Sequence, residues 1–348
     1  MNWTEKLLGW YYENQRDLPW RKTKDPYTIW ISEIILQQTT IKQGLSYYKK
    51  FINTYPNLTL LAKAKEEDVL KVWQGLGYYS RARNLHFTSK LILKEYNGVF
   101  PSNYSELIDL KGIGDYTASA IASICFNLPH AVVDGNVYRF LSRYFGIRKS
   151  INNGKSLKYF KNKASKLMYK ENSGDFNQAM MEFGSINCKP KNPICENCLF
   201  NNNCYAYLNN KIYDFPIKNK NKKRRLRFFN FLIMKNSNNE IIVEKRMEND
   251  IWKNLYQFPL FEERNNVNLI KKIKQFVCRY DPKKLNKIKK WNIKPVKYKL
   301  THQELYVTFW LENLNIGLLN KYNYDKLKKY PMPIALENFI NKFFKLQT

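Results

Sequence analysis

A mainly α-helical N-terminal domain followed by a smaller α+β domain is the architecture this sequence predicts, and three observations carry it. The chain has 348 residues, more than the usual single domain of about 150, which suggests two. From Trp3 to about Asn210 the apolar residues recur at helical spacing, with Pro or Gly marking short connections. Beyond Pro216 this pattern gives way to the basic run Lys218-Asn219-Lys220-Asn221-Lys222-Lys223-Arg224-Arg225, which no core could absorb, and then to β-type runs.

The elements follow in order. The opening residues Met1 to Asp17 mix charges and aromatics, without a basic n-region, an apolar core or a small-residue cleavage site, so no secretion signal is read there. No stretch of 18 apolar residues exists in which to read a membrane span, and a cytoplasmic location is expected. Asp25-Pro26-Tyr27 supplies an N-cap and a first-turn proline before a helix over Thr28 to Gln38. Leu110-Lys111-Gly112-Ile113-Gly114 is a tight turn opening onto the Ala/Ser-rich helix that follows Asp115. In the second half, Phe228 to Met234, Ile241 to Glu244 and Tyr298 to Trp310 read as strands, and Ile334 to Phe344 as a closing helix.

Hydrophobic residues make up 44% and aromatics 16%, enough for a core, which excludes a disordered or fibrous chain. Lys+Arg 59 against Asp+Glu 29 gives a formal net charge of +30, which favours a polyanionic partner such as nucleic acid. The abundance of Lys, Asn, Ile and Tyr also fits the drift of an AT-rich coding sequence, so part of the surplus is solvated lysine.

Three constellations carry chemistry. The densest is Cys188-x6-Cys195-x2-Cys198-x5-Cys204. In a reducing compartment clustered thiols hold metals more often than they form disulfides, and four thiolates can enclose a zinc ion or an iron-sulfur cubane. A zinc ribbon shows two Cys-x2-Cys knuckles and here there is one, which favours the cubane. Cys125 and Cys278 stand alone in apolar surroundings and read as packing residues. The second constellation is the turn with Gly112 and Gly114, whose glycines let a phosphate approach the N–H groups of a helix start, as in a helix-hairpin-helix. The competing readings are a dinucleotide fingerprint or a plain structural turn, but no strand precedes it and Thr117 stands where a third glycine is needed.

The third constellation is a pair of carboxyls. Glu33 lies in Ile29-Trp30-Ile31-Ser32-Glu33-Ile34-Ile35-Leu36, where desolvation favours its neutral, proton-donating form. Asp134 lies in Val132-Val133-Asp134-Gly135-Asn136-Val137 at the start of a helix, which keeps a carboxylate ionised. One protonated and one ionised carboxyl is the pairing that glycosidic cleavage needs. Taken singly, each is more ordinarily a helix cap or a solvent-facing acid.

Ser32-Glu33-Ile34-Ile35-Leu36-Gln37-Gln38-Thr39, Gly75-Leu76-Gly77-Tyr78-Tyr79-Ser80-Arg81, the two-glycine turn, Val133-Asp134-Gly135-Asn136-Val137 and the four-cysteine loop occur in one order along nearly the whole chain. In this the sequence resembles the MutY-type adenine DNA glycosylases, relatives of endonuclease III in the helix-hairpin-helix superfamily. The resemblance implies a helical glycosylase domain over 1–212, with the hairpin at 110–125 and a 4Fe-4S loop at 188–204. A basic linker over 213–227 and a Nudix-like domain over 228–348 that recognises 8-oxoguanine would follow. The Nudix catalytic box is absent from 228–348, so that domain should bind without hydrolysing.

Carried over residue by residue, the resemblance makes Glu33 the proton donor to adenine and Asp134 the support of an oxocarbenium-like sugar, with Tyr116 and Asn136 assisting. It puts Trp20 and Arg21, from Leu18-Pro19-Trp20-Arg21, near the base pocket, and has Gln38, Leu76 and Tyr78 enter the duplex as adenine is flipped out. Gly112 and Gly114 would grip a phosphate, and Cys188, Cys195, Cys198 and Cys204 would hold one 4Fe-4S cluster. Endonuclease III carries a lysine where this chain has Tyr116, and a tyrosine cannot form the Schiff base of a lyase, so the alternative of a bifunctional glycosylase/lyase is disfavoured. One departure stands out: Leu300-Thr301-His302 replaces the Phe-Ser-His that contacts 8-oxoguanine in the family, keeping a hydroxyl and an imidazole but losing the ring. The expected partner is double-stranded DNA with adenine opposite 8-oxoguanine or guanine, bound by a monomer.

Overall fold

The computed structural model describes residues 2–219, 223–236, 238, 240–280, 288–313 and 321–345. The chain forms two compact units, one of Met1–Lys63 with Asn84–Lys220, the other of Ala64–Arg83 with Asn221–Thr348.

The first unit is helical. Its helices Trp3–Asn14, Gly135–Phe145, Gly154–Leu167 and Ser173–Glu182 enclose a core that includes Leu7, Phe140, Phe160, Phe176, Phe183 and Phe200. The helix expected at Thr28 starts at Pro26, with the Asp25 carboxylate accepting from Thr28 N at 2.9 Å. It ends at Leu36, earlier than expected, because Gln38 turns into the left-handed region at φ +56°. The two-glycine turn joins helices Tyr104–Asp109 and Asp115–Phe126. Gly112 sits there at φ +84°, and a Cβ on it would lie 2.7 Å from Asn84 Cβ, so only glycine closes this turn. Cys125 and Cys278 are half-buried rather than enclosed, although burial still pushes the Cys125 thiol up to about 12.

The second unit is built on a mixed sheet. Its strands are β1 (Arg225–Lys235), β2 (Ile241–Ile242), β5 (Leu260–Glu262), β6 (Lys289–Lys290), β7 (Val296–Lys299), β8 (Gln303–Asn313) and β9 (Lys321–Tyr322), and β3 (Glu244–Lys245) pairs with β4 (Tyr256–Gln257) separately. The spine is β1 parallel to β8, in register from Arg225↔Gln303 to Lys235↔Asn313. Such a pair must be covered on both faces. Phe229, Phe231 and Ile233 pack with Phe309 toward the helix Ile334–Lys345, where Phe309 and Phe339 stack at 4.0 Å. Leu232 and Met234 face the helix Asn266–Val277 through Leu269, Ile273 and Val277.

Several expectations need correcting here. Tyr298 to Trp310 is not one strand: β7 and β8 fold back on each other through Leu300–His302, closed by Leu300 N to Gln303 O at 2.9 Å. The helix Asn266–Val277 was not anticipated, although Asn265 caps it by accepting from Val267 N at 2.9 Å and its buried residues recur every four positions. The linker expected at 213–227 is shorter. Ile151 N donates to Ile217 O at 3.0 Å and Asn219 N to Asn152 Oδ1 at 2.8 Å, which fastens its first part to the helical unit, while Arg225–Arg227 belong to β1. Residues 220–222 of that linker lie outside the described residues.

Finally, the expected helical domain 1–212 includes residues 64–83, which the structure packs into the second unit. The reason is a set of polar ties. Lys245 Nζ meets Glu67 Oε1 at 2.7 Å, Tyr256 Oη donates to the same oxygen at 3.0 Å, Lys71 Nζ donates to Tyr330 O at 3.1 Å and Tyr79 Oη to Met332 O at 3.2 Å.

Candidate active site

Glu33 and Asp134 line one cavity of about 490 Å³ in the helical unit, together with Trp20, Arg21, Tyr116 and Asn136. Glu33 is 7% exposed on the helix Pro26–Leu36. Burial pushes its carboxyl up to about 7, the Tyr116 hydroxyl hydrogen-bonded to it works against that rise, and the Asp134 charge adds to it. The Tyr116 hydroxyl is held well above the ordinary phenol range, chiefly by burial, and Met181 Sδ, 3.4 Å away, is a second, weaker acceptor within reach of its single proton. It is therefore a neutral donor.

Asp134 caps the helix Gly135–Phe145. Its Oδ1 accepts from Asn136 N and Val137 N, each at 2.8 Å, and its Oδ2 from Asn136 Nδ2 at 2.6 Å. Burial raises the Asp134 carboxyl from its ordinary value, and these hydrogen bonds and the Arg139 charge oppose the rise. Both oxygens accept and neither donates, which is the pattern of a carboxylate. The two acids thus differ in what surrounds them: apolar helix and a phenol for one, donors for the other.

A third acid in the cavity, Glu182, escaped the sequence reading. It is 1% exposed and is gripped by two guanidinium groups, with Arg21 Nη1 to Oε1 at 2.9 Å, Arg21 Nη2 to Oε2 at 2.6 Å and Arg16 Nε to Oε1 at 2.7 Å. Burial works to raise its carboxyl, but the bonds from Arg16 and Arg21 outweigh it and bring it down to about 2. Arg21 lines the cavity, but its charge is committed to Glu182. Trp20 is buried beside it and meets Tyr48 edge-on at 5.0 Å. The signal that could have revealed Glu182 is the one that revealed Glu33: a glutamate inside an apolar run, Ala179-Met180-Met181-Glu182-Phe183.

Cys188, Cys195, Cys198 and Cys204 line a second, small cavity with Phe140, Arg143 and other residues of the same unit, and none of them forms a disulfide. Among the described residues no three of His, Cys, Asp and Glu stand together as a site for a single metal ion. Burial raises the Cys195, Cys198 and Cys204 thiols, Cys198 to about 11, and their neighbouring sulfurs add to the rise. Backbone N–H groups of Phe200, Ala206 and Tyr207 point at the Cys198 and Cys204 sulfurs. Arg143 Nη1 reaches Cys188 Sγ at 3.5 Å. Arg139 Nε donates to Cys188 O at 2.7 Å and its Nη2 to Asn136 Oδ1 at 2.9 Å and to Gly184 O, so the loop and the Asp134 cap hang on one buried guanidinium. Gly184 is needed at this crossing, because a Cβ there would lie 2.6 Å from Asn136 O.

Gly112 and Gly114 are exposed in the turn at the start of the helix Asp115–Phe126. Gln38 is exposed two residues past the helix that carries Glu33, next to Thr39, which lines the same cavity. Leu76 and Tyr78 lie in the second unit, where they line a cavity of about 500 Å³ with Arg83, Trp252, Thr301 and His302. Only Tyr78 is presented to solvent, at 44% exposed against 8% for Leu76. Tyr78 holds φ +48°, a conformation a bulky residue rarely adopts, and its hydroxyl hydrogen-bonds that of Thr301. Thr301 and His302 are the exposed tip of the β7–β8 hairpin.

Comparison with known proteins bears on the family of the chain. Residues 31–166 match the family described as HhH-GPD superfamily base excision DNA repair protein, and residues 230–342 match the NUDIX domain. The adenine DNA glycosylase of Buchnera aphidicola subsp. Baizongia pistaciae (strain Bp) is 37% identical over 99% of this chain and 97% of that protein. That of Buchnera aphidicola subsp. Acyrthosiphon pisum (strain APS) is 41% identical over 75% of each. Among solved structures, a thermostable thymine-DNA glycosylase is 32% identical with a TM-score of 0.55, covering 59% of this chain and 95% of that one. No helix among the described residues is long and apolar enough to cross a membrane. With a relative this similar from end to end, the chain belongs to the adenine DNA glycosylase family.

Proposed function

We propose that this protein removes adenine from duplex DNA where it faces 8-oxoguanine or guanine, acting as a monomer and cutting the N-glycosidic bond without cutting the strand. The observation that carries this is the pairing in one cavity of Glu33, whose carboxyl burial pushes up to about 7 so that a large share still holds its proton near neutral pH, with Asp134, surrounded by donors. Glu33 passes its proton to a ring nitrogen of the flipped adenine as the bond to C1′ breaks. Asp134 faces the positive charge that develops on the sugar, and Asn136 holds it there. The Tyr116 hydroxyl keeps the Glu33 carboxyl oriented, and water adding at C1′ gives up a proton that restores the acid form of Glu33, which completes hydrolysis. Gln38 and Tyr78, both exposed and held at positive φ, suit insertion into the duplex, Leu76 would join them once uncovered from its 8% exposed position, and Gly112 and Gly114 suit a backbone phosphate. Trp20 and Arg21 wall the base pocket.

Single-turnover incubation with a duplex carrying adenine opposite 8-oxoguanine tests this. Strand breaks are expected only after hot alkali; breaks of equal yield without alkali would support the bifunctional glycosylase/lyase instead.

The four cysteines fit one 4Fe-4S cluster. Four free thiols share one cavity with backbone donors and an arginine aimed at the sulfurs, an environment that stabilises thiolates bound to iron. When bound, such a cluster would tie the loop to the helix that Asp134 caps. Analysis of anaerobically purified protein should find iron and sulfide in equal amounts, and stoichiometric zinc without iron would refute the assignment.

The second unit, by this reading, recognises 8-oxoguanine through Thr301 and His302. Thr301→Val keeps the volume and removes one hydroxyl, which should cost roughly 1 kcal/mol, about fivefold, of the preference for 8-oxoguanine over guanine. An unchanged ratio of single-turnover rates on the two mispairs would remove that role.

A further inference from the structure

Asp115 is the first residue of the helix that leaves the two-glycine turn, next to Gly114. A carboxylate there suits the free helix but is a poor neighbour for a phosphate at the same N-terminus. The structure shows what becomes of its charge. Tyr104 Oη donates to Asp115 Oδ1 at 2.6 Å, and Lys161 Nζ, from the helix Gly154–Leu167, meets the same oxygen at 2.6 Å. Lys161 also donates to Ser119 Oγ at 3.2 Å, one turn along the hairpin helix, and its Nζ lies 5.3 Å from the Tyr104 ring centre. That ring stacks on His130 at 4.3 Å. The ion pair is largely sheltered, with the Lys161 side chain 20% exposed and that of Asp115 33%.

We propose that Lys161 is a positioning residue for the grip of the hairpin on DNA. It cancels the Asp115 charge and, itself anchored on Ser119 Oγ, holds that carboxylate together with the Tyr104 hydroxyl, so that the helix start offers a backbone phosphate donors without a competing anion. This rests on reading Gly112–Gly114 as the phosphate contact. Two like unit charges about 6 Å apart at an effective dielectric of about 40, between that of bulk water and that near a protein surface, repel by the equivalent of about a tenfold change in affinity, enough to decide whether such a turn binds DNA.

The test is anisotropy titration of the full-length protein with an undamaged duplex at low salt. Lys161→Met should weaken binding by about fivefold to tenfold. Asp115→Asn alone should tighten it, and the double variant should bind more tightly than Lys161→Met alone. Lys161→Arg should keep most of the affinity. If the pair serves only to hold the fold, Asp115→Asn and Lys161→Met weaken binding alike and the double variant gains nothing, which overturns the proposal. Gly114→Ala separates the underlying reading, because a Cβ there meets nothing within 4 Å in the free protein and would obstruct only a close ligand. Loss of affinity in Gly114→Ala with no response to Lys161→Met leaves the phosphate grip standing and removes Lys161 from it; no response in either removes both.

Discussion

Glu33→Gln is expected to lower single-turnover release of adenine by about 100- to 10,000-fold, the range of a lost general acid, while binding of the mispaired duplex stays largely intact. Glutamine keeps the size of the side chain and accepts from Tyr116 but has no acidic proton to give. The pH profile should carry the same signature. Because burial holds the Glu33 carboxyl up to about 7, its protonated fraction is nearly complete well below that pH and falls tenfold per unit well above it. Release by the wild type should therefore fall as pH rises through about 7, and the glutamine variant should lack that limb. Near-normal release by Glu33→Gln would sink the assignment.

Asp134→Asn is the companion experiment, with an expected loss of about 100- to 1,000-fold in the chemical step, the effect of removing one electrostatic support for a developing charge. The fold should bear the change, since asparagine caps a helix about as well as aspartate and can still accept from Asn136 N and Val137 N. What it cannot do is accept from Asn136 Nδ2 with its amide nitrogen. That costs about 1 kcal/mol of stability and is read separately as a small fall in Tm. A variant that melts like the wild type and still releases adenine at the wild-type rate would show that Asp134 is a cap and nothing more.

Much of this site was legible in the sequence because its chemistry is local. Glu33 in an apolar helix and Asp134 at a helix start announce their environments within a few neighbours, and the structure surrounds each as those neighbours imply. Four thiols in one short loop could hardly be far apart. The two-glycine turn was equally readable, because Gly112 is required by φ and by the close approach of Asn84. What escaped depends on partners distant in sequence. Arg21 lines the cavity as its sequence context suggested, but nothing local announced that its guanidinium is held by Glu182, which only the fold brings near. The hairpin at Leu300–His302 was hidden inside a β-type run, because alternation is the same on both arms and the turn residues are ordinary ones. No local signal could have placed residues 64–83, since their helical pattern is compatible with packing on either unit.

That placement bears on how the protein can be dissected. Because Ala64–Arg83 belong with Asn221–Thr348, the second unit is not a contiguous stretch of sequence, and the chain crosses between the units at three points rather than one. A truncation that stops near residue 220, the natural design for an isolated helical core, keeps 64–83 but strips away its partners, leaving Lys71 without the Tyr330 carbonyl and Tyr79 without that of Met332. Trp73 and Leu70 of the same segment are fully buried in the intact chain, so the segment is part of a packed interior and not a surface tether. Poor solubility or lost activity in it would then report a torn unit, not a catalytic contribution from the C-terminal sequence, and point substitutions such as Thr301→Val are the sounder way to ask what that half contributes.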